Sequence, residues 1–463
     1  MGYLIGALAF IFILGAAVVL HEFGHFIVAK LFKIRVETFS VGFGPRLFGK
    51  RWGQTDYRVS AIPLGGYVKL GGDESNAPIE GAGATDIPPE EMFNLRPRWQ
   101  RILVALAGPV MNIITALAIP LAGALMYGVP ATPAPVVSYV VPGGAADIAG
   151  LKPGDRIVSF GGTENPKWET IHNDALLSPN QPIPVVVERS GQRITLNIKP
   201  SPHTEDGETA GFLHFIPDYG GLPVVLKDVT SDSPAAKAGL QPGDRILAMN
   251  GEPIKSAEQV TQFVRDHKSQ PITLTIERNG QRKDITASVA RQKDGSEKLG
   301  IVPAEEIPLR RAGLTAAARF AISSNIEILR LTGKALGQVF TGQRSVRNTL
   351  SGPIGIYQAA SKSVERLGWE GVFSMLGFLS LNLGIFNLLP IPVLDGGAIF
   401  LLLIEGVLAP IGMSISMTVR ARIQQVGFVM VILLMLFVIT NDLLKKFSPG
   451  PSESKPAATA PGK

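Results

Sequence analysis

Three residues with metal-binding and proton-transfer chemistry lie in one of the most apolar stretches of the chain. They belong to the segment HEFGH at 21–25, in which His21 and His25 are four residues apart and Glu22 follows the first histidine. Residues 3–20 before the segment carry no charge, and residues 26–29 after it are apolar again. On a helix, this spacing puts both histidines on one face, where they can bind one zinc ion. Because ionisable residues are costly within a bilayer, the segment predicts metal-dependent hydrolysis inside a membrane.

The composition of the chain favours a membrane protein. Of its 463 residues, 18% are charged, whereas about 25% is usual for soluble domains, and the mean hydropathy is +0.23. The chain has no cysteine, which excludes disulfides, thiolate nucleophiles and cysteine ligands, so zinc must be held by His, Asp or Glu. The net charge of +6 is attributed to membrane topology, and the sequence has no aromatic and basic pattern that would indicate nucleic-acid binding.

Four charge-poor segments are long enough to cross a bilayer, whose hydrocarbon core is about 30 Å thick. These segments are residues 3–29, 102–129, 372–394 and 423–441. Basic residues are concentrated between Lys30 and Arg101, so the positive-inside rule places this loop in the cytoplasm. Residues 131–311 are then expected on the outer side, and HEFGH near the cytoplasmic end of the first segment. Lys445 and Lys446, at the outer end of the last segment, run against this rule.

The outer region contains an internal repeat. Residues 149–157 read AGLKPGDRI and residues 238–246 read AGLQPGDRI, and each copy is followed by alternating, strand-like segments with short glycine turns. A period of this length predicts two tandem domains rather than a solenoid. Both copies resemble bacterial PDZ domains, which bind extended peptides by adding a strand to a sheet edge. The alternative is that the repeat only forms a turn that the fold needs, so that the two units act as a spacer or a steric gate.

A catalytic zinc ion commonly has a third protein ligand, and Asp395 is the best candidate for it. The remaining histidines, His172, His203, His214 and His267, all fall in the predicted outer domains. Asp395 follows an apolar segment and precedes another, where an isolated carboxylate would be costly unless a metal ion lies within reach. Two prolines shortly before it interrupt the helix, and broken helices at membrane depth are tolerated where they line a buried or watery cavity.

Three motifs in order resemble those of the site-2 protease family of intramembrane zinc proteases. They are HEFGH at 21–25, GPVMN at 108–112 and NLLPIPVLDGG at 387–397. Two PDZ-like repeats, with SGPIGI at 351–356, resemble the branch of this family that regulates the sigma-E response. One departure is Ala398, where relatives often have a histidine after the DGG sequence, but this position is not a proposed ligand.

The resemblance implies a zinc cofactor and a role for each residue of the metal site. His21, His25 and Asp395 would be the zinc ligands. Glu22 would be the general base, which takes a proton from the attacking water and passes it to the leaving amine. The alternative for these residues is buried polar pairing without a metal.

The resemblance also implies a set of substrate-binding residues. Asn112 and Asn387 would orient the substrate or stabilise the oxyanion, and Pro390 and Pro392 belong to the same substrate-binding set. The alternative for the two asparagines is interhelical hydrogen bonding, which is common in membranes.

Residues 36–70 are rich in glycine, proline and β-branched residues, which favours a pair of strands over a helix. In the family, the corresponding region is a membrane-associated β-hairpin that presents a sheet edge to the substrate. Pairing an unwound substrate segment with a strand restores the backbone hydrogen bonds that its helix loses. The alternative is a cytosolic surface loop.

The predicted fold class is a multi-pass α-helical membrane protein with four transmembrane helices, a membrane-associated β-hairpin and two β-rich α+β PDZ domains. The predicted domains are a membrane half at 1–130, PDZ domains at 131–220 and 221–305, amphipathic connecting helices at 306–371, a second membrane half at 372–445 and a disordered tail at 446–463.

The predicted function is regulated intramembrane proteolysis in the inner membrane. By resemblance, the partners are single-pass membrane proteins of the anti-sigma-factor type, already cut on the outer side, with signal-peptide remnants as a further substrate class. The PDZ pair would gate their access from the periplasm. The alternative functions are a non-catalytic PDZ scaffold or membrane chaperone and a transporter with broken helices. The complete HEFGH motif together with Asp395 argues against the scaffold or chaperone, whereas the transporter predicts a protein without zinc, which metal analysis would test.

Overall fold

The structure is a computed structural model that describes residues 2–73, 86–130, 135–205, 208–218, 222–267, 270–291, 297–342, 352–411, 413 and 416–447. The helices, in chain order, are α1 (Gly2–Leu31), α2 (Arg98–Tyr127), α3 (Ala145–Ile148), α4 (Trp168–Leu176), α5 (Pro234–Ala238), α6 (Ala257–Asp266), α7 (Leu314–Phe340), α8 (Pro353–Leu367), α9 (Trp369–Asn387), α10 (Asp395–Leu408) and α11 (Met417–Phe447). The part of the predicted tail that follows Phe447 lies outside the described residues.

The strands, in chain order, are β1 (Val36–Trp52), β2 (Thr55–Leu70), β3 (Val129–Pro130), β4 (Val137–Val140), β5 (Arg156–Phe160), β6 (Thr163–Glu164), β7 (Ile183–Arg189), β8 (Gln192–Ile198), β9 (Ser201–Glu205), β10 (Glu208–Phe212), β11 (Phe215–Pro217), β12 (Val224–Val229), β13 (Arg245–Met249), β14 (Glu252–Pro253), β15 (Pro271–Arg278), β16 (Gln281–Ser288), β17 (Ala290–Arg291), β18 (Glu297–Lys298), β19 (Ile301–Glu305) and β20 (Leu309–Arg310). The chain divides into two units, which are described separately below: Met1–Tyr127 with Ala312–Lys463, and Gly128–Arg311.

The first unit contains four helices that are long and apolar enough to cross a membrane, counted over the described residues. They cover Leu4–Leu31, Arg98–Tyr127, Trp369–Asn387 and Arg422–Leu444. The third differs from the predicted segment 372–394, because helix α9 ends at Asn387 and the apolar sequence continues as a turn. Pro390 and Pro392 lie in this turn and lack the N–H that a continuing helix needs. Asp395 therefore begins a separate apolar helix, α10, instead of ending a long one.

Helix α1 packs within the core of this unit. Ile13 and Ala17 are completely buried with Val372 and Leu376 of α9 and with Ala360 of α8. Near its other end, Ala29 is buried with residues of the β1–β2 hairpin and with Val104 of α2. The helix that carries HEFGH is thus held by apolar contacts on both sides of the motif.

Strands β1 and β2 form an antiparallel hairpin over the region for which the sequence predicted a strand pair. Its turn lies at Gly53, where φ is +60°, a value that suits glycine. Residues 38–41 of β1 pair with two parts of β2, near residues 56–59 and near residues 66–69, so the hairpin curls back on itself. This curl directs the last part of β2 toward helix α1.

The second unit consists of two lobes that share one strand pattern. In the first lobe the sheet order is β6-β5-β7-β8, and in the second the order β16-β15-β13-β12-β19 has β14 added beside β13. Each lobe buries its own apolar core. These cores include Phe160, Val185 and Ile198 in the first lobe and Met249, Leu274 and Ile276 in the second.

The aspartate of each PGD turn explains why the repeat is so similar in the two lobes. Asp155 accepts two hydrogen bonds of 2.7 Å from Arg189, which also donates to the carbonyl of Gly150 at 2.8 Å. Asp244 and Arg278 form the same bidentate pair in the second lobe, with the same separation of 34 residues. The hydrogen bond from Arg189 to Asp155 raises the pKa of the arginine above its ordinary value. The PGD motif is therefore a buried anchor between a turn and a hairpin strand.

The two ends of the second unit are joined by a short ladder. Strand β3 pairs antiparallel with β20, through Pro130 with Leu309 and Val129 with Arg310. Gly128 precedes this ladder with a φ of +102°, and a side chain there would collide with the carbonyl of Arg310. The chain thus enters and leaves the second unit through neighbouring strands.

Candidate metal centre

Helix α1 and the first residue of α10 bring three metal-binding side chains together. His21 and His25 lie one turn apart on α1, with 3.2 Å between their Nε2 atoms. Asp395 places Oδ2 3.0 Å from Nε2 of His21 and Oδ1 3.5 Å from Nε2 of His25. Among the described residues, these three form the group that could hold a metal ion. His21 is 6% exposed, so the cluster lies inside the helical unit.

The turn after α9 fixes the position of Asp395. Val393 has a φ of +83°, an uncommon conformation for a β-branched residue that costs about 1–3 kcal/mol. Gly396 and Gly397 then lie so close to the turn that a Cβ would come within 2.3 Å of the carbonyl of Leu388 and 2.2 Å of that of Ile391. The two glycines of the LDGG sequence therefore let α10 begin directly beneath the turn, with Asp395 facing α1.

A backbone carbonyl sets the ring orientation of His25. Its Nδ1 lies 2.8 Å from the carbonyl oxygen of Val104 on α2. A carbonyl oxygen only accepts hydrogen bonds, so Nδ1 carries the proton and, in the neutral ring, Nε2 keeps its lone pair. That lone pair points toward Asp395 and His21, which is the arrangement that a metal-binding histidine needs.

Gly108 of α2 leaves the space into which the two histidines point. A Cβ at this position would lie 2.3 Å from Nε2 of His25 and 2.8 Å from Nε2 of His21. A side chain at this position would therefore collide with both nitrogens, so only glycine lets α2 pass this close to the two histidines. In the sequence, this glycine is visible as part of the GPVMN motif. Its position beside the two histidines could not be predicted from its apolar surroundings.

The donor set fits a zinc ion. A tetrahedral zinc with bonds of about 2.0–2.1 Å holds its ligand atoms about 3.4 Å apart. The two Nε2 atoms are 3.2 Å apart, and Asp395 places one oxygen 3.0 Å from the first and its other oxygen 3.5 Å from the second, so the three side chains lie at the spacing of ligands of one ion. Two imidazole nitrogens and one carboxylate also match the ligands of catalytic zinc sites, which keep a fourth position open.

Glu22 lies beside the cluster and is held by the hairpin. The backbone N–H of Val68, on β2, donates to its carboxylate. Gly66, two residues earlier, brings the strand so close that a Cβ there would lie 3.6 Å from Cγ of Glu22. The side chain is half-buried and interacts electrostatically with His21, His25 and Asp395. Backbone donors such as Val68 leave no side-chain signal, so sequence reasoning did not find this contact.

The four predicted substrate-binding residues occupy different positions. Asn387, the last residue of α9, places Nδ2 3.4 Å from Nε2 of His21, on the side where the metal-binding atoms converge. Asn112 lies on the opposite side of the same ring, with Nδ2 3.2 Å from Nδ1 of His21, and is 0% exposed. Pro390 is exposed, and Pro392 packs against Gly427 of α11. The structure therefore brings both asparagines to His21 and leaves the prolines in the turn that carries Asp395.

Two histidines on an apolar helix, a facing aspartate and an adjacent glutamate are the residue types of a metalloprotease centre, and comparisons with known proteins give the family. The model of peptidase family M50 matches residues 9–434, so the chain belongs to this family and is a zinc metalloprotease of the site-2 type.

The relatives cover nearly the whole chain. The regulator of sigma-E protease RseP of Escherichia coli (strain K12) is 34% identical, over 94% of this chain and 97% of its own length. RseP of Salmonella typhimurium is also 34% identical over 94% of this chain and 97% of its own length. A protein of Vibrio cholerae described as a putative zinc metalloprotease is 31% identical over 95% of this chain and 98% of its own length. Among solved structures, the PDZ domain of an SdrC-like protein from Listeria monocytogenes is similar to 17% of this chain and 85% of its own, with 23% identity and a TM-score of 0.16.

Proposed function

We propose that this chain cuts single-pass membrane proteins within the bilayer, with His21, His25 and Asp395 as zinc ligands and Glu22 as the general base. The observation that carries the proposal is the convergence of the three ligand atoms between α1, which is long enough to span a membrane, and the apolar helix α10. His21, His25 and Asp395 would each be costly alone within a bilayer, and binding one ion together removes that cost.

The residues around the cluster provide the steps of peptide hydrolysis. When bound, zinc supplies a Lewis acid that polarises the scissile carbonyl and makes a coordinated water more acidic. Glu22, oriented by the N–H of Val68, accepts the proton of the attacking water on its carboxylate and delivers it to the leaving amine. Asn387, next to Nε2 of His21, is placed to donate to the carbonyl oxygen as it gains negative charge.

The hairpin presents the substrate to these groups. A transmembrane helix shields its peptide bonds with its own hydrogen bonds, so the segment to be cut must unwind. A strand added to the β1–β2 sheet would keep the freed backbone groups bonded. Because β2 passes Glu22 at Gly66 and Val68, a segment held on this sheet is near the general base.

Two further parts of the proposal concern topology and substrate. The concentration of basic residues between Lys30 and Arg101 supports a site toward the cytoplasmic face of an inner membrane, with the repeated lobes in the periplasm. The relatives are named as regulators of sigma-E, and the resemblance to their branch implies an anti-sigma-factor-like substrate that another protease has already shortened on the outer side. Remnants of signal peptides are a second substrate class. The two lobes, as PDZ domains, would exclude substrates with a large outer part.

The proposal is tested with purified protein in nanodiscs and a model single-span substrate that has a short outer segment. We expect the wild type to cut within the span, the Glu22→Gln variant to cut at a rate at least 100-fold lower, and both to contain zinc, because Glu22 is not a ligand. Asp395→Asn should lose zinc and activity together. Equal product from wild type and Glu22→Gln would overturn the proposal.

The proposed exclusion of substrates by the two lobes is tested separately. The substrates share one transmembrane span and differ in the size of the outer part. We expect the rate of cleavage to fall steeply once the outer part is a folded domain, while the cut position stays the same. A rate that is independent of outer size would contradict the gate but leave the hydrolytic site intact.

A further inference from the structure

We infer that Asn112 is a positioning residue whose side-chain oxygen accepts a hydrogen bond from the Nδ1–H group of His21 and thereby keeps Nε2 of His21 free to bind the metal. This inference rests on the proposed function. It assigns Asn112 to the metal site instead of the substrate, which differs from the role that the GPVMN motif first suggested.

The first observation is the position of the amide. Asn112 is 0% exposed, and its side-chain nitrogen is 3.2 Å from Nδ1 of His21. A peptide segment could therefore not reach this side chain without displacing the residues that cover it. Asn387, in contrast, lies next to Nε2 of the same ring and is half-buried. The two asparagines are therefore on opposite sides of His21, and only Asn387 is on the side of the reacting atoms.

The second observation concerns the side-chain oxygen of Asn112, which is buried and has no hydrogen-bond partner among the described residues. The oxygen and nitrogen of an amide have nearly the same shape, so their assignment follows from the hydrogen bonds that they make. If the nitrogen faces Nδ1, the ring must carry its proton on Nε2, which would block metal binding at that atom. Rotating the amide by half a turn puts the oxygen opposite Nδ1–H and leaves the lone pair on Nε2.

The other histidine of the site supports this choice. The carbonyl oxygen of Val104 accepts from Nδ1 of His25, so His25 already has the tautomer that binds a metal through Nε2. His21 needs an equivalent acceptor behind its ring, and the Asn112 amide is the group that lies there. Both acceptors come from α2, so one helix sets the tautomers of both histidines of α1.

Close packing holds the amide in place. Gly108 and Asn112 are one turn apart on α2, so they share a face that is directed at α1. Gly384 of α9 approaches from the other side, and a Cβ on it would lie 3.3 Å from Cβ of Asn112 and 2.9 Å from the carbonyl of Pro109. Metal-binding histidines usually donate their second ring N–H to such a partner, and its loss typically lowers metal affinity about 10–100-fold.

The test measures zinc affinity of the full-length protein by competition with a chelator, followed by metal analysis. Asn112→Leu keeps the approximate volume and removes the acceptor, so we expect an affinity about 10–100-fold weaker than that of the wild type. Asn112→Asp keeps an acceptor at the same place and is expected to bind zinc within about threefold of the wild type. Asn387→Leu is the matched control and should retain zinc while cutting more slowly.

A second readout separates positioning from substrate binding. At saturating free zinc, Asn112→Leu should regain most of its kcat with an unchanged KM, whereas a substrate contact would raise KM at every zinc concentration. Wild-type zinc affinity in Asn112→Leu, or equal loss in the Asp and Leu variants, would overturn the inference. Failure of the proposed function would look different, because the wild type itself would then hold no zinc or cut as slowly as Glu22→Gln.

Discussion

The side-chain amide of Asn325 donates a hydrogen bond to the carbonyl oxygen of Ala116, with 3.0 Å between the two atoms. Pro120 lies four residues after Ala116 on α2 and has no N–H, so this carbonyl lacks its usual helical donor. Asn325 is buried and lies on α7, so a neighbouring helix satisfies the carbonyl that the proline leaves free. Such replacement is how prolines are tolerated within membrane helices.

This relationship predicts coupling between Asn325 and Pro120. Asn325→Leu should destabilise the protein by about 1 kcal/mol, because it leaves the Ala116 carbonyl without a donor. In a Pro120→Ala background the backbone N–H of residue 120 can satisfy that carbonyl, so the same substitution should cost clearly less. Denaturant titration of the four proteins in mild detergent gives the double-mutant cycle. An identical cost in both backgrounds would show that the hydrogen bond to Ala116 contributes nothing.

Replacing Gly108 by alanine is expected to remove the metal without unfolding the protein. In Gly108→Ala the new methyl group lies where both histidines point, so we expect zinc content to fall at least tenfold and cleavage with it. Gly123 is on the same helix and has no atom within 4 Å of an added Cβ, so Gly123→Ala is a matched control that should keep zinc and activity. Metal analysis and cleavage assays on both variants, with circular dichroism to check helicity, decide the matter. Full zinc occupancy in Gly108→Ala would show that the site does not need a glycine beside the two histidines.

Asp442 predicts a local effect at the start of helix α8. Its carboxylate accepts hydrogen bonds from the backbone N–H groups of Gly352, Ile354 and Gly355, at 3.0, 3.1 and 3.1 Å. An anion at a helix N-terminus is stabilised by the free N–H groups and the helix dipole, here from a residue near the end of α11. Asp442→Ala should therefore destabilise this contact by about 1–3 kcal/mol.

Hydrogen exchange is the direct measurement of that effect. The amides of residues 352–356 should exchange about tenfold faster or more in Asp442→Ala. The exposed neighbour Thr440, changed to alanine, serves as the control and should leave this exchange unaltered. Unchanged protection in Asp442→Ala would mean that other contacts hold the start of α8.

Because the same aspartate–arginine pair occurs in both lobes, the same substitution is expected to destabilise each lobe to a similar extent. Arg189→Met leaves the buried Asp155 with the backbone N–H of Lys152 but without its arginine, and Arg278→Met leaves Asp244 in the same way with the N–H of Gln241. Removing one partner of a buried ion pair costs on the order of 3 kcal/mol, and the two lobes should lose similar amounts. Arg→Lys should be intermediate, since lysine cannot form the bidentate pair. Limited proteolysis of the full-length chain, read lobe by lobe, measures the loss, and a response confined to one lobe would contradict an equivalent role.

The candidate site residues that sequence analysis found are those whose side chains are chemically unusual in an apolar segment. HEFGH and Asp395 are conspicuous because ionisable residues are rare in apolar segments, and the structure brings polar atoms of His21, His25 and Asp395 within 3.5 Å of one another. The prolines predicted an interruption before Asp395, but the end of α9 at Asn387 was not predicted, because hydropathy is the same in a helix and in the turn that follows it. Val68 and Val104 act through backbone atoms, which any residue could supply. The position of Asn112 behind the ring of His21 depends on how α1 and α2 pack, which spacing within one helix cannot give.

The ladder between β3 and β20 has a consequence for how this chain could have been assembled. The segment from Gly128 to Arg311 starts and ends at two strands that pair with each other. Its two ends are therefore as close together as the ends of a short hairpin. An insertion of this kind adds little closure entropy however long it is. The segment between these two strands could therefore be replaced by a module of a different size while the helices of the first unit keep their own connections.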